Sequence, residues 1–234
     1  YDCAADVTDE DLAGTARVEL ALRSMVDEQR LNALSYQFLA LGDDGRTTTL
    51  PFVAASRLMA EGIGFGGEGD LIAAAGTWLL EQLRSPATFS EIFTVDFEGN
   101  SLLLSHMGEA NASMARADRK IPLVFRPRRL VDTTSGQLTL VVSLDPGPAT
   151  LCCLTLGCGG RWRLIASRVE IDDFGPIPGM VTPHFKARVA RDVRDWLTDY
   201  AKAGGAHHHA ICFGDATARI RAAAGFLNAD YVEI

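Results

Sequence analysis

Cysteine is scarce in this 234-residue chain. The five residues Cys3, Cys152, Cys153, Cys158 and Cys212 make an odd number with no CxxC spacing. That argues against a secreted disulfide framework and against a zinc site built on paired thiolates. Buried, reduced thiols in a cytoplasmic protein are expected instead. Long apolar runs are also missing. LIAAAG and LTLVVSL fall far short of the roughly 20 residues a membrane span needs, so no membrane partner is expected. No leader is recognisable, and the first residue is Tyr1 rather than Met. A processed chain, or a piece of something longer, is the expectation. The net charge of −8 leaves no broad basic footprint for nucleic acid. There is no GxSxG motif for a serine nucleophile. The glycine-rich GIGFGGEG precedes a helix, as phosphate-cradling loops do. It lacks the Lys-Ser/Thr of a P-loop, and the acidic residues around it repel phosphate.

What is present divides near Ser85-Pro86. Before it, helical and strand-like patterns alternate. Thr8 reads as the N-cap of a helix with acidic residues in its first turn. Asn32–Leu41 is a short strand-like run, and Asp43-Asp44-Gly45 a turn signal. Leu50-Pro51 opens a second helix through Met59. A glycine-rich loop, Gly62–Asp70, leads to a third helix over Leu71–Leu83. After Pro86 come short β-branched and aromatic runs punctuated by glycine and proline pairs, Ser135-Gly136 among them. Asp172–Pro183 reads as a loop and Phe185–Ala203 as a helix. GGAHHHAICFG runs into a strand, Asp215–Ala224 forms a closing helix, and Asp230–Ile234 a last strand. The fold class is therefore α/β plus antiparallel β. Residues 1–86 form part of an α/β layer domain. Residues 87–234 form an antiparallel, β-barrel-like domain with a closing helix and strand.

Chemistry-bearing residues are few. Of the five histidines, His207, His208 and His209 are consecutive, between small and apolar flanks at the mouth of a predicted strand. A tag remnant and an exposed polar turn are the plain alternatives to a metal-ligand role. His106 ends the strand-like SLLLSHM, where a half-buried structural imidazole is the commoner outcome. Glu68 lies between glycines and Glu91 between bulky apolar residues. For Glu68 a solvated turn residue is the plain alternative to a functional role; Glu91 either faces water or has its proton affinity altered by desolvation.

Three segments carry a resemblance: LPFVAASRLMAEGIGFGGEGDLIAAA, then EIFTVDFEGNSLLLSHMGEAN, then AGGAHHHAICFG. In this order they resemble the C-terminal half of the L-arabinose isomerase family, from about Ala13 to Ile234. The resemblance implies a divalent metal, usually Mn²⁺ with Mg²⁺ or Co²⁺ as alternatives, held by Glu68, Glu91, His106 and His208. His207 is the alternative fourth ligand, and Phe38 falls near an aromatic that lines the sugar pocket. It further implies a small-sugar substrate, isomerised between aldose and ketose by enediol proton transfer shared between Glu68 and Glu91. L-arabinose to L-ribulose and D-galactose to D-tagatose are the candidate conversions. A homo-oligomer, a hexamer by family resemblance, is expected, as is an N-terminal domain absent from this sequence. A non-catalytic sugar-binding or regulatory homologue, or an L-fucose-isomerase-like enzyme on the same cage, are the rival readings. Around the cage the residues differ from the family: Leu71-Ile72 replace Trp-Lys, Ile92-Phe93 replace Asp-Tyr, and Gly108–Ala112 replace Leu-Glu-Val-Cys-Pro. Those differences bear on the sugar more than on the chemistry.

Overall fold

The computed structural model describes residues 1–41, 49–126 and 137–234. The expected turn at Asp43-Asp44-Gly45 and the Ser135-Gly136 break lie outside the described residues. A two-residue strand β1 (Asp2–Cys3) precedes the long helix α1 (Asp9–Gln29). Thr8 caps α1 in a capping box: its hydroxyl accepts from Asp11 N at 3.2 Å while the Asp11 carboxylate accepts from Thr8 N at 3.1 Å. Then come β2 (Ala33–Ser35), a single helical turn at Phe38–Ala40, and α2 (Phe52–Met59). The expected glycine loop holds a strand of its own, β3 (Gly64–Gly66), which pairs in parallel with β2. The expected Asn32–Leu41 strand is confined to β2 because its second half turns into the helical turn at Phe38. Helix α3 (Leu71–Leu83) starts on Asp70, whose side chain accepts from Ala73 N at 2.8 Å.

The second part is a closed barrel. Its strands are β4 (Ala87–Asp96), β5 (Ser101–Ser105), β8 (Gly147–Leu156), β9 (Trp162–Ile171), β10 (His184–Val189) and β11 (His208–Phe213). Between β5 and β8 lie β6 (Pro122–Phe125) and β7 (Leu138–Leu140), which join β1 in a separate three-stranded sheet. The barrel runs β10-β5-β4-β11-β8-β9 and closes where β9 pairs again with β10; every pairing in this ring is antiparallel. The last strand, β12 (Asp230–Glu233), adds in parallel to the first half of β9.

The sequence pattern misplaces one element. Phe185–Ala203 is not one helix. Phe185, Ala187 and Val189 are buried and alternate with Lys186 and Arg188, which is strand periodicity. A 3.6-residue period begins only at α4 (Val193–Lys202), capped by Asp192 on Arg194 N at 2.7 Å. Val193, Trp196 and Tyr200 form its buried face. The strand so overlooked is the one that closes the barrel.

Alternation sorts the barrel's two faces. Leu102, Leu104, Leu151, Ile165 and Ile211 point inward and pack with Trp196 of α4. Cys152, Leu164, Ala166, Ala210 and Cys212 point outward beneath α3 and α5 (Thr217–Phe226). A third cluster, with Leu34, Leu58, Met59, Phe65 and Phe89, joins the α/β layer to the outer face of β4. Phe89 is fully buried there, so truncating it to Ala would cost about 3–5 kcal/mol.

Candidate metal centre

The register of two strands creates the site. His208 on β11 stands directly opposite Glu91 on β4, and Ala210 opposite Phe89. Opposed residues share a face, so Glu91, Phe89 and His208 all lie on the outer side, toward α3. His209 faces the barrel interior. There it is fully buried beside its cross-strand partner Ser90, and burial pushes its imidazole down to about 3. His106 follows the last residue of β5, whose Ser105 is also registered with Glu91.

Five of the residues singled out from the sequence thereby meet as two overlapping triples. Donor atoms of Glu91, His106 and His208 lie within 4.8 Å of one another. The same holds for Glu68, His207 and His208. His208 is common to both. The His106 and His208 rings are 5.5 Å apart between centroids, and each meets the edge or face of Phe89, at 4.7 and 5.1 Å. Phe38 is half-buried in the turn after Gln37. Gln37 itself donates through Nε2 to the Glu68 carbonyl at 2.9 Å.

The glycines of the loop are explained by close approach. A Cβ on Gly66 would strike the backbone of α3, and one on Gly67 would stand 2.5 Å from His106 Nε2 and 3.2 Å from Phe89. The loop thus slides between a helix and an imidazole, which only glycine permits. Glu68 itself adopts a left-handed conformation (φ 60°, ψ 21°). For a side-chain-bearing residue this costs of order 1 kcal/mol. It is held by the Gln37 bond, by Gly69 N donating to Tyr36 O at 3.0 Å, and by Ser35 Oγ donating to Gly66 O at 2.6 Å. A strained backbone at a ligand-type side chain is a frequent mark of a functional site.

Each buried imidazole is oriented by a carboxylate on its Nδ1. His106 Nδ1 is 2.6 Å from Glu109 Oε2, and His208 Nδ1 is 3.0 Å from Asp70 Oδ2. Both Nε2 atoms are buried without a hydrogen-bond partner. Carboxylate on one nitrogen and a free lone pair on the other is the arrangement of metal-ligating histidine. The two rings nonetheless shift in opposite directions. Burial lowers His106, but the buried Glu109 outweighs it and the net shift is upward. Burial also lowers His208; Asp70, a third exposed, opposes this too weakly, and the net shift stays downward. The donor set of two imidazoles and two carboxylates suits a divalent first-row ion or Mg²⁺. The residues present therefore fit such an ion.

Three participants were not picked out from the sequence. Glu109 lies in the Gly108–Ala112 segment, three residues beyond His106, with no local signal that ties it to the imidazole. Asp70 ends the expected glycine-rich loop and carries no local signal as the partner of His208. Tyr36, whose hydroxyl donates to Glu109 Oε1, carried no local signal; burial and Glu109 raise it well above the usual phenol range.

Comparison with known proteins gives a consistent result. The profile described as the L-arabinose isomerase central domain matches residues 2–84, and that of the L-arabinose isomerase C-terminal domain matches residues 86–230. An L-arabinose isomerase of Acidothermus cellulolyticus is 30% identical over 94% of this chain and 45% of its own. One of Nocardioides is 32% identical over 89% of this chain and 42% of its own. One of Serratia proteamaculans is 31% identical over 85% and 40%. The chain spans under half the length of these relatives.

Proposed function

The chain belongs to the L-arabinose isomerase family, and from that premise we propose that the site at the barrel rim holds a divalent cation and serves the interconversion of an aldose and a ketose. One arrangement carries the proposal: two buried imidazoles with free Nε2 atoms, each oriented by a carboxylate, beside Glu91 and Glu68.

Glu91, His106 and His208 would hold the ion from the inner side, and Glu68 from the exposed side, with His207 the alternative on that side. Mn²⁺ is the ion proposed, with Mg²⁺ or Co²⁺ as substitutes. A cation in this place supplies Lewis-acid polarisation of adjacent sugar oxygens. The protein's own part is proton movement and exclusion of water. One of the two glutamates takes a proton from one carbon of the C1–C2 pair and returns it to the other; the second assists transfer between the oxygens. Phe89, beneath both imidazoles, closes the inner side to water. Phe38 is proposed to face the sugar.

L-arabinose to L-ribulose, or D-galactose to D-tagatose, is the proposed conversion; the names of the relatives support it. The proposal extends to a cytoplasmic setting, in keeping with the buried, unpaired Cys152, Cys153 and Cys212, and to a homo-oligomer. The site's open side also needs covering, by chain preceding this segment or by a neighbouring copy. Glu68 and His207 are exposed, as are the apolar Leu71, next to Asp70, and Leu39, next to Phe38.

The test is ketose formation from L-arabinose, D-galactose and L-fucose with Mn²⁺, with the chain alone and together with a separately expressed upstream domain. Metal-dependent turnover in the reconstituted sample, lost with chelator, is expected. Turnover indifferent to chelator would overturn the reading. Tight Mn²⁺ binding with no turnover in either sample would favour a non-catalytic homologue.

A further inference from the structure

We propose that Glu109 and Tyr36 form a positioning relay that fixes the His106 imidazole with its proton on Nδ1 and its Nε2 lone pair aimed at the ion; the proposal rests on the metal-site reading given above. The relay is a continuous chain of hydrogen bonds from Tyr36 through Glu109 to His106. Glu109 is 2% exposed. Its Oε2 lies 2.6 Å from His106 Nδ1 and accepts from Gly108 N at 3.1 Å, while its Oε1 accepts from the Tyr36 hydroxyl. An ionised carboxylate only accepts, so the nitrogen it faces must carry the proton. Nε2, buried and unpartnered, is left as the donor atom for a metal.

None of the three groups is free to turn. Tyr36 packs on Phe65 at 5.3 Å between ring centroids, and Phe65 on Phe89 at 5.6 Å. Phe89 in turn meets the edge of His106. Gly108 leaves no room for a side chain against the Phe52 ring, so the loop carrying Glu109 is pinned to α2. Tyr36 follows β2 of the α/β layer, whereas His106 and Glu109 follow β5 of the barrel. The relay therefore transmits the placement of one part of the chain to a ligand supplied by the other. Tyr36 and Glu109 touch neither the proposed ion nor the sugar; both act through His106.

Two readouts test this on the 234-residue chain. The first is ¹⁵N NMR of its five histidines, recorded without metal at a pH high enough to keep the rings neutral. His106 is assigned by its loss in His106→Gln. The second is Mn²⁺ affinity by titration calorimetry. The wild type should show His106 protonated on Nδ1. Glu109→Ala should add a population protonated on Nε2 and weaken Mn²⁺ binding about 10–100-fold. Glu109→Gln should restore part of both, and Tyr36→Phe should show a smaller loss of the same kind. Where Glu109→Ala fails to fold, Glu109→Gln and Tyr36→Phe carry the same readouts. An unchanged tautomer and unchanged affinity in the folded Glu109 and Tyr36 variants, with binding abolished in His106→Gln, would overturn the relay and leave the metal site standing. Unchanged Mn²⁺ affinity in His106→Gln would overturn the metal site, while the tautomer readout would still decide what Glu109 does.

Discussion

Substituting Gly67 by alanine tests whether the glycine loop exists to let a backbone pass against His106. The added Cβ would lie 2.5 Å from His106 Nε2 and 3.2 Å from a Phe89 ring carbon. Real carbon atoms do not approach so closely, so something must move. Phe89 is fully buried, and His106 is tied to Glu109 at 2.6 Å. The imidazole is therefore displaced against its tether, in the direction that removes Nε2 from the site. Overpacking of this kind costs about 1–3 kcal/mol. For a chain of this length each kcal/mol shifts the melting midpoint by about 2–4 °C, so the metal-free protein should melt roughly 2–12 °C lower. Mn²⁺ binding should weaken about 10–100-fold, as when a ligating histidine loses its orientation. Gly62→Ala is the control. Its φ of +89° makes alanine strained, but nothing lies within 4 Å of the new carbon. It should lose stability and keep Mn²⁺ affinity. Calorimetry with and without metal reads both quantities. A Gly67→Ala protein with wild-type melting and wild-type affinity would refute the packing argument.

Saturating Mn²⁺ should stabilise the chain by mass action. At 100 times the dissociation constant the gain is about 2.7 kcal/mol, or roughly 5–11 °C in the melting midpoint. Glu91→Gln should abolish most of that gain, and an undiminished gain would remove Glu91 from the site. Acid should loosen the loop before β10. His184 is fully buried, accepts from Ile177 N at 2.7 Å on Nε2, and bonds Thr182 O at 2.7 Å through Nδ1; burial lowers its proton affinity despite the Thr182 bond. The unfolded chain then binds a proton below about pH 6.5 that the folded chain refuses. Its contribution is complete above that pH and falls as pH drops, by up to ~1.4 kcal/mol per unit. His184→Gln, which keeps one donor and one acceptor, should flatten the slope of stability against pH below about 6.5; an unaltered slope would contradict the assignment. Finally, a thiol reagent at pH 8 should label Cys3 and Cys158, which are exposed, and spare Cys152, Cys153 and Cys212, which are buried. Burial raises all three, Cys212 to about 12. Rapid labelling of Cys212 in the folded chain would show that the outer face of β11 is less well covered than described.

The readable parts of the sequence were those where one local rule dominates. Thr8 and Pro51 mark helix starts that agree with α1 and α2, and Leu71–Leu83 agrees with α3 residue for residue. The antiparallel runs after Pro86 gave the barrel's character but not its closure. Phe185–Val189 adjoins a true helix, and its alternation is too short a run to stand out from the helical period that begins at Val193. The site divides in the same way. Glu68 and the histidine run stand out because glycines and small residues surround them. Glu91 was undecided locally because its meaning comes from the register that places His208 opposite. Tyr36 reaches Glu109 across 73 positions of sequence, a contact no local pattern can announce. His209 shows the converse: it shares the run, but strand alternation turns it into the barrel interior, away from Glu91 and His106.

The central claim is that four side chains on separate elements converge on one divalent ion. Anomalous diffraction from crystals of the chain grown with Mn²⁺ tests it most directly. The account predicts a single strong peak about 2.0–2.3 Å from His106 Nε2 and His208 Nε2, with the carboxylates of Glu91 and Glu68 completing the protein ligands. A peak bound through either Nδ1, or an ion seated away from His208 altogether, would contradict it.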